Sequence, residues 1–116
     1  MARIGILLTA APYQFENWET AVDFADAALE KGHGVDFFLY IDGAYNPVKH
    51  QSFPGSVVLP QDRFAALLER GARVTVCGLC ATVRGLKPAD YIAGVASGGL
   101  PDLAALVGEV DRLVSL

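Results

Sequence analysis

The stretch VTVCGLCATVRGL, residues 74–86, joins a short apolar run to both cysteines of the chain. The run 74–76 is typical of a buried strand, and Gly85 is typical of a residue that ends a helix. Cys77 therefore falls where the strand ends, and reactive groups in open α/β sheets gather outside the carboxyl ends of the strands. The stretch predicts a strand, a pair of thiols and a short helix, in that order.

The rest of the chain continues this alternation of strands and helices. Residues 3–9 form an apolar run typical of a strand covered on both faces, and apolar residues then recur at helical spacing from Asn17 to a stop at Gly32. The other predicted strands are 35–41, 91–95 and 112–116, the other predicted helices are 62–70 and 100–107, and residues 97–99 are predicted to form a turn. This alternation predicts an α/β fold: a three-layer α/β/α sandwich around a mainly parallel five-stranded sheet, with residues 1–116 as one domain.

Segment 42–59 breaks the alternation. It has no clear periodicity and contains two prolines and two glycines. A connection of this length in a small domain is usually a functional lid or an interface loop. Its apolar residues, among them Tyr45 and Phe53, would be costly to leave in water. We therefore expect this segment to be a lid or interface loop rather than a disordered excursion.

Composition restricts the partners of the chain. A hydrophobic content of 53% and a mean hydropathy of +0.36 are high for 116 residues, because a small domain cannot bury so much apolar surface alone, and self-association is the simplest outlet. The net charge of -4, with nine scattered Lys and Arg, argues against nucleic acid and against an anionic membrane surface. No apolar stretch approaches the roughly twenty residues that cross a bilayer. We expect a cytoplasmic protein, where a cysteine pair is reactive or metal-bound more often than it is a structural disulfide.

The two cysteines are consistent with several roles. The free N–H groups at a helix start favour a thiolate at Cys77, and Arg84 is spaced to approach the Cys80 thiol and to offer its guanidinium to an anion. The spacing fits equally well if both cysteines are small residues buried in the core without a chemical role. A thioredoxin-like redox pair would normally carry an aromatic residue where Val76 stands. Zinc needs four ligands, and neither histidine lies at a zinc-ligand spacing, so no metal and no cofactor is expected.

Four segments of the chain resemble, in order, segments of the DsrE/DsrF family, which includes TusD-like and YchN-like proteins. They are TAAPYQFENWETAVDFADAAL from residue 9, YIDGAYNPVKH from residue 40, VCGLCATVRGL from residue 76 and GGLPDLAALVGEVDRLVSL from residue 98. The most specific element is C-x-x-C-x-x-x-R-G, from Cys77 to Gly85. The resemblance runs from one end of the chain to the other.

The resemblance implies a role in sulfur relay. In relay members a single cysteine accepts sulfane sulfur as a persulfide and passes it to a partner protein, in tRNA thiolation or in sulfur oxidation, and that cysteine matches Cys77. TusD-type members lack a cysteine where Cys80 stands, whereas YchN-like sequences carry both. Cys80 is therefore a candidate to resolve a persulfide into a disulfide. The resemblance further implies a homotrimer or hexamer, alone or with sister subunits, that works with sulfur donor and acceptor proteins and does not bind nucleic acid directly.

The predicted site includes both thiols and four neighbouring residues. The predicted catalytic residues are Cys77 and Cys80, and the predicted substrate-binding residues are Arg84, Gly78, Tyr13 and Tyr45. Two other classes of function stay open at this point: an oligomeric module that binds a small anion or nucleotide at the strand ends, and a C-x-x-C protein of thiol–disulfide exchange.

Overall fold

The computed structural model describes residues 1–116 and contains one five-stranded sheet. The strands are β1 (Arg3–Leu8), β2 (Gly34–Leu39), β3 (Arg73–Cys77), β4 (Ala96–Gly98) and β5 (Arg112–Ser115). The helices are α1 (Asn17–Glu30), α2 (Pro60–Glu69), α3 (Gly78–Val83) and α4 (Leu100–Glu109), with 3-10 turns at Ile41–Tyr45 and Pro88–Asp90. Every strand pair is parallel, in the order β4-β3-β2-β1-β5. The predicted α/β fold with a five-stranded parallel sheet is confirmed.

Helices cover both faces of this sheet. Side chains alternate between the faces along β2, and Phe37 packs edge to face on Phe64 of α2 with ring centroids 5.1 Å apart. Asp36 and Phe38 face the other way and line a groove with Leu106 of α4. The chain order explains this arrangement: β1 to β3 step across the sheet in one direction, whereas the connection from β4 to β5 returns to the far edge. Right-handed crossovers then place α4 on the opposite face from α1 and α2, as the predicted sandwich requires.

The fourth strand lies later in the chain than predicted. Residues 96–98 pair with β3, whereas 91–95 lie outside the sheet and Tyr91 makes only an isolated antiparallel bridge with Val48. The prediction of a strand at 91–95 and a turn at 97–99 is therefore wrong. The apolar residues of 91–95 pack against the core from a loop. Gly98 is the last residue of β4. A Cβ at this position would lie 2.9 Å from Thr75 Cγ2, so the glycine allows close packing of β4 on β3 and does not mark a turn.

A buried carboxylate joins three strands near their amino ends. Asp36 on β2 is 3% exposed. Its oxygens accept hydrogen bonds from Arg3 Nε of β1 at 2.9 Å and from Arg73 Nε of β3 at 3.0 Å. A buried charge is costly unless it is paired, and here two cations share one carboxylate. The cluster joins β1, β2 and β3 at the amino end of the sheet, opposite the end where Cys77 lies.

Candidate functional site

The two thiols lie at the carboxyl end of β3. Cys77 is the last residue of the strand and the N-cap of α3, where its Sγ accepts a hydrogen bond from the Cys80 N–H at 3.3 Å. The helix is short, and Gly85 with φ of +75° follows its end, as the sequence pattern predicts. Both thiols are free and nearly buried, with Cys77 4% and Cys80 9% exposed. The end of β3 and the first turn of α3 thus hold two free, nearly buried thiols three residues apart.

The turn after β2 supplies a second hydrogen bond to this pair. The Ile41 N–H donates to Cys80 Sγ at 3.2 Å. Ile41 holds φ of +56°, a left-handed conformation that crowds a β-branched side chain and costs about 1–2 kcal/mol. Backbone strain of this kind persists only where the surrounding structure enforces it, and it is concentrated at functional sites. Here it aims one backbone N–H at one thiol.

Burial raises the pKa of the Cys80 thiol above its ordinary value, and the hydrogen bond with Cys77 raises it further. The Ile41 N–H and the positive charge of Arg84 act in the opposite direction but do not reverse the shift. Cys80 therefore keeps its proton to a higher pH than a free thiol.

Arg84 links the helix to the turn after β2. Its Nη1 donates to the Cys80 carbonyl at 3.0 Å, and its Nε and Nη2 both donate to Asp42 Oδ1, at 2.9 and 2.7 Å. The Asp42 carboxylate holds the pKa of Arg84 above its ordinary value. The guanidinium is thus near the Cys80 thiol, as expected from the spacing. Its Nε and Nη2 donors are already bound to Asp42, so they are not free to bind an anion.

The turn itself is anchored to neighbouring elements. Gly43 sits so close to the end of β1 that a Cβ there would lie 2.1 Å from the Leu8 carbonyl oxygen. Asn46 is fully buried and its Nδ2 donates to the Ala10 carbonyl at 3.0 Å. The Tyr91 hydroxyl donates to the Ala44 carbonyl at 2.9 Å. Residues 43–46 are therefore fixed to the core, while Ile41 and Asp42 meet α3.

The remaining predicted residues line cavities beside the thiols, and neither thiol lines those cavities. Tyr13 and Tyr45 line one apolar cavity of about 300 Å³ on the outer side of the turn. Tyr13 also stacks on Phe53, with ring centroids 6.4 Å apart. Gly78 lines a separate cavity of about 190 Å³ between α3 and β4, where a Cβ would lie 2.9 Å from Ser97 Oγ. The structure thus brings Cys77, Cys80 and Arg84 together and places the two tyrosines and the glycine in flanking cavities.

Three residues of this site were absent from the sequence prediction. They are Ile41, Asp42 and Tyr91. The first two follow the end of β2 after one intervening residue, so the rule that sites form outside the carboxyl ends of strands identifies their position. Tyr91 gave no such signal, because its place depends on how loop 86–95 folds back onto the turn. Burial raises the pKa of Tyr91 to about 12, with the neighbouring Asp90 carboxylate as a smaller cause.

Two further properties of the structure bear on cofactors and membranes. No group of three or more His, Cys, Asp and Glu side chains is arranged to hold a metal ion. His33 accepts a hydrogen bond from the Ala2 N–H at its Nδ1, 2.9 Å away, at the amino end of the sheet. None of the helices has the length and apolar character needed to span a membrane.

Comparison with known proteins gives relatives over the full length of the chain. The model of the DsrE/DsrF-like family matches residues 2–116. An uncharacterized protein of Methanocaldococcus jannaschii is 38% identical over 110 residues, covering 95% of this chain and 96% of that protein. A protein of Allochromatium vinosum named "Putative sulfurtransferase DsrE" is 33% identical over 86 residues, covering 72% of this chain and 66% of that protein. The crystal structure of the YchN protein from E. coli superposes with a TM-score of 0.92 at 26% identity, covering all of both chains.

Proposed function

This chain belongs to the DsrE/DsrF-like family, and on that premise we propose that it is a sulfur-relay protein whose Cys77 carries sulfane sulfur as a persulfide. The observation that carries the proposal is the position of Cys77 at the carboxyl end of β3, with its Sγ accepting the Cys80 N–H. Its donors and acceptors are partner proteins, and it acts in the reducing cytoplasm, where free thiols persist.

The reaction consists of two thiol exchanges. The Cys77 thiolate attacks the outer sulfur of a donor persulfide, R–S–SH, so that a bond forms between Cys77 Sγ and that sulfur while the donor S–S bond breaks. The electron pair of the broken bond leaves with the donor as R–S⁻. An acceptor thiolate then attacks the outer sulfur of Cys77–S–SH, and Cys77 departs as the thiolate. Atoms and electrons balance without any oxidant or cofactor.

The surroundings of the two thiols favour different roles for them. Each sulfur atom accepts one backbone N–H, but burial and the neighbouring Cys77 raise the pKa of the Cys80 thiol, so Cys80 keeps its proton to a higher pH. Cys77 is therefore the better nucleophile of the pair. Cys80 is the resolving thiol: its sulfur attacks the inner sulfur of Cys77–S–SH to form a Cys77–Cys80 disulfide, and its proton leaves with the displaced sulfide as H₂S.

The placement of two free, nearly buried thiols in one C-x-x-C turn also favours a second candidate, thiol–disulfide exchange. In that function the oxidised protein takes two electrons from a substrate dithiol and returns to the reduced state. A module that binds small anions is less favoured, because Asp42 occupies the guanidinium of Arg84.

Intact-protein mass spectrometry after incubation with a cysteine persulfide donor tests the proposal. Wild type, Cys77→Ser and Cys80→Ser are compared, each with its thiols first shown to be reduced. The relay proposal expects a gain of one sulfur atom in Cys80→Ser and no gain in Cys77→Ser. Wild type should gain less at equilibrium, because Cys80 resolves the persulfide.

Two outcomes would redirect the assignment. If no variant gains sulfur and wild type instead loses two hydrogen atoms in a glutathione buffer, thiol–disulfide exchange replaces sulfur relay. If neither change occurs, both chemical roles fail and the binding module becomes the leading hypothesis.

The subunit arrangement forms part of the proposal. Leu79 and Val83 of α3 are 73% and 68% exposed, and Leu100 and Val107 of α4 are exposed as well. Large apolar side chains in such positions are typical of association surfaces. We propose a homotrimer or hexamer, alone or with sister subunits. Native mass spectrometry of the isolated chain tests this, and a monomer at micromolar concentration would contradict assembly from this chain alone.

A further inference from the structure

We propose that the Asp42–Arg84 ion pair is a latch that closes α3 against the turn Ile41–Tyr45, and that sulfur reaches Cys77 only when this latch opens. The inference rests on the proposed function, since it concerns access of sulfur to the same thiol. Asp42 is accordingly a positioning residue that acts through Arg84. Four features of the structure carry the argument.

The first feature is the lack of space around the thiols. Both are nearly buried, and neither lines any of the four cavities of the structure. A persulfide adds a second sulfur atom beyond Cys77 Sγ, and the interiors of proteins leave few voids of that size. In-line attack on a donor also needs an open approach to the sulfur. The closed arrangement therefore stores the thiol but does not admit the donor.

The second feature is the small number of polar contacts that hold the turn Ile41–Tyr45 against α3. The turn contacts both α3 and β3. Its polar links to α3 are the Ile41 N–H to Cys80 Sγ and the ion pair of Asp42 with Arg84. The Asp42 side chain is 49% exposed and that of Arg84 is 20% exposed, so solvent and salt reach the pair. A half-exposed ion pair is a weak closure that thermal motion can open.

The third feature is the strain at Ile41. Its left-handed backbone is needed to aim its N–H at the Cys80 sulfur. When that contact separates, Ile41 is free to return to an ordinary conformation, and this relief favours the open state. The closed state therefore stores strain that offsets part of the energy of the latch.

The fourth feature is the packing of α3 on its other side. Residues 43–46 are anchored to the core, so the helix is the part that moves. Gly78, Ala81 and Thr82 lie on a different face of α3 from Cys80 and Arg84, and they line the cavity of about 190 Å³ between α3 and β4. A helix with an apolar cavity beside it can shift with little loss of contact. In the open state Arg84 exchanges the Asp42 carboxylate for the persulfide anion of Cys77.

Alkylation kinetics test the latch without any sulfur donor, so their result does not depend on whether Cys77 carries sulfur. Reduced wild type and Asp42→Asn are treated with iodoacetamide, a neutral reagent, and the labelled cysteine is located by fragmentation of peptide 74–84. Asp62→Asn is the matched control, because Asp62 is an exposed aspartate in the first turn of α2. We expect alkylation to be about two- to fivefold faster in Asp42→Asn, as a surface ion pair of ordinary strength allows, and unchanged in the control.

The pH profile separates opening from a simple change of charge. Loss of Asp42 also frees the positive charge of Arg84, which lowers the pKa of nearby thiols and shifts the midpoint of the profile. An opened latch raises the plateau rate at high pH, where the thiols are fully ionised. A shifted midpoint with an unchanged plateau would overturn the latch.

A double-mutant cycle provides the second line of evidence. Arg84→Gln removes the ion pair and also the hydrogen bond to the Cys80 carbonyl, so its plateau rate of alkylation should rise at least as much as that of Asp42→Asn. The double variant should react no faster than Arg84→Gln, because the ion pair is already lost in that single variant. Added salt should accelerate wild type and leave the variants unaffected. Additive effects, or equal salt dependence in all three proteins, would refute the latch even if one single variant proved unstable by circular dichroism.

Discussion

Replacement of Gly43 by alanine tests whether the turn Ile41–Tyr45 packs directly on the end of β1. Gly43 does not need glycine for its backbone angles, since its φ is not in the left-handed region. It needs glycine for space: the new Cβ would lie 2.1 Å from the Leu8 carbonyl oxygen and 3.0 Å from the Leu8 carbonyl carbon. Both atoms belong to the backbone of a fully buried strand residue, so neither can rotate away.

The expected loss of folding stability follows from how far the added methyl group displaces the turn. Real Cβ atoms stay beyond 3.0 Å, so the turn must move by about 1 Å away from β1. That movement stretches the hydrogen bond from the Tyr40 N–H to the Leu8 carbonyl, now 3.0 Å. Overpacking of this kind costs about 1–3 kcal/mol. For a chain of 116 residues each kcal/mol lowers the melting temperature by about 4 °C, so we expect a decrease of about 4–12 °C.

Thermal unfolding followed by circular dichroism measures this change. Gly108→Ala is the matched control, because Gly108 lies in α4 with no atom within 4 Å of its added Cβ. Alanine in a helix is favoured over glycine by up to about 1 kcal/mol, so the control should be as stable as wild type or more stable. A Gly43→Ala protein that melts at or above the wild-type temperature would refute the close seating of the turn on β1.

Two further predictions concern ionisable side chains. Because the folded protein raises the pKa of Tyr91 from 10.0 to about 12, the stability that this group contributes is present below pH 10 and is lost as the pH rises from about 10 to about 12. Absorbance at 295 nm after a rapid pH jump should show a tyrosine titrating near pH 12 that Tyr91→Phe removes, and an unchanged titration curve in that variant would contradict the assignment. At the other end of the sheet, Asp36→Ala leaves Arg3 and Arg73 facing each other without a carboxylate, and we expect a loss of about 2 kcal/mol in urea unfolding, less than for a fully buried pair because the side chain of Arg73 is 64% exposed. Asp62→Ala serves as the exposed control, and equal stability of the two variants would show that the buried carboxylate contributes nothing.

The prediction of the fold succeeded where local pattern and topology agree. Apolar runs before residues 9, 41 and 77 identified three central strands, because a strand covered on both faces must be apolar along its length. It failed at β4, a three-residue edge strand of Ala, Ser and Gly with no apolar pattern. The pairing of β4 comes from its hydrogen bonds to β3, and the sequence around Tyr91 imitates a strand because a loop there also buries apolar side chains.

The positions of the two thiols follow from local sequence. A strand that ends at Cys77 and a helix that ends before Gly85 bring Cys77 and Cys80 together within one turn, and such short-range geometry depends only on neighbouring residues. The residues that contact these thiols are set by long-range packing. Asp42 meets Arg84 across 42 positions of sequence, and Ile41 meets Cys80 across 39, because β2 pairs with β3 in a register that brings both strand ends to one edge. No local pattern contains that register, since it is fixed by which side chains fill the core between the strands and the helices.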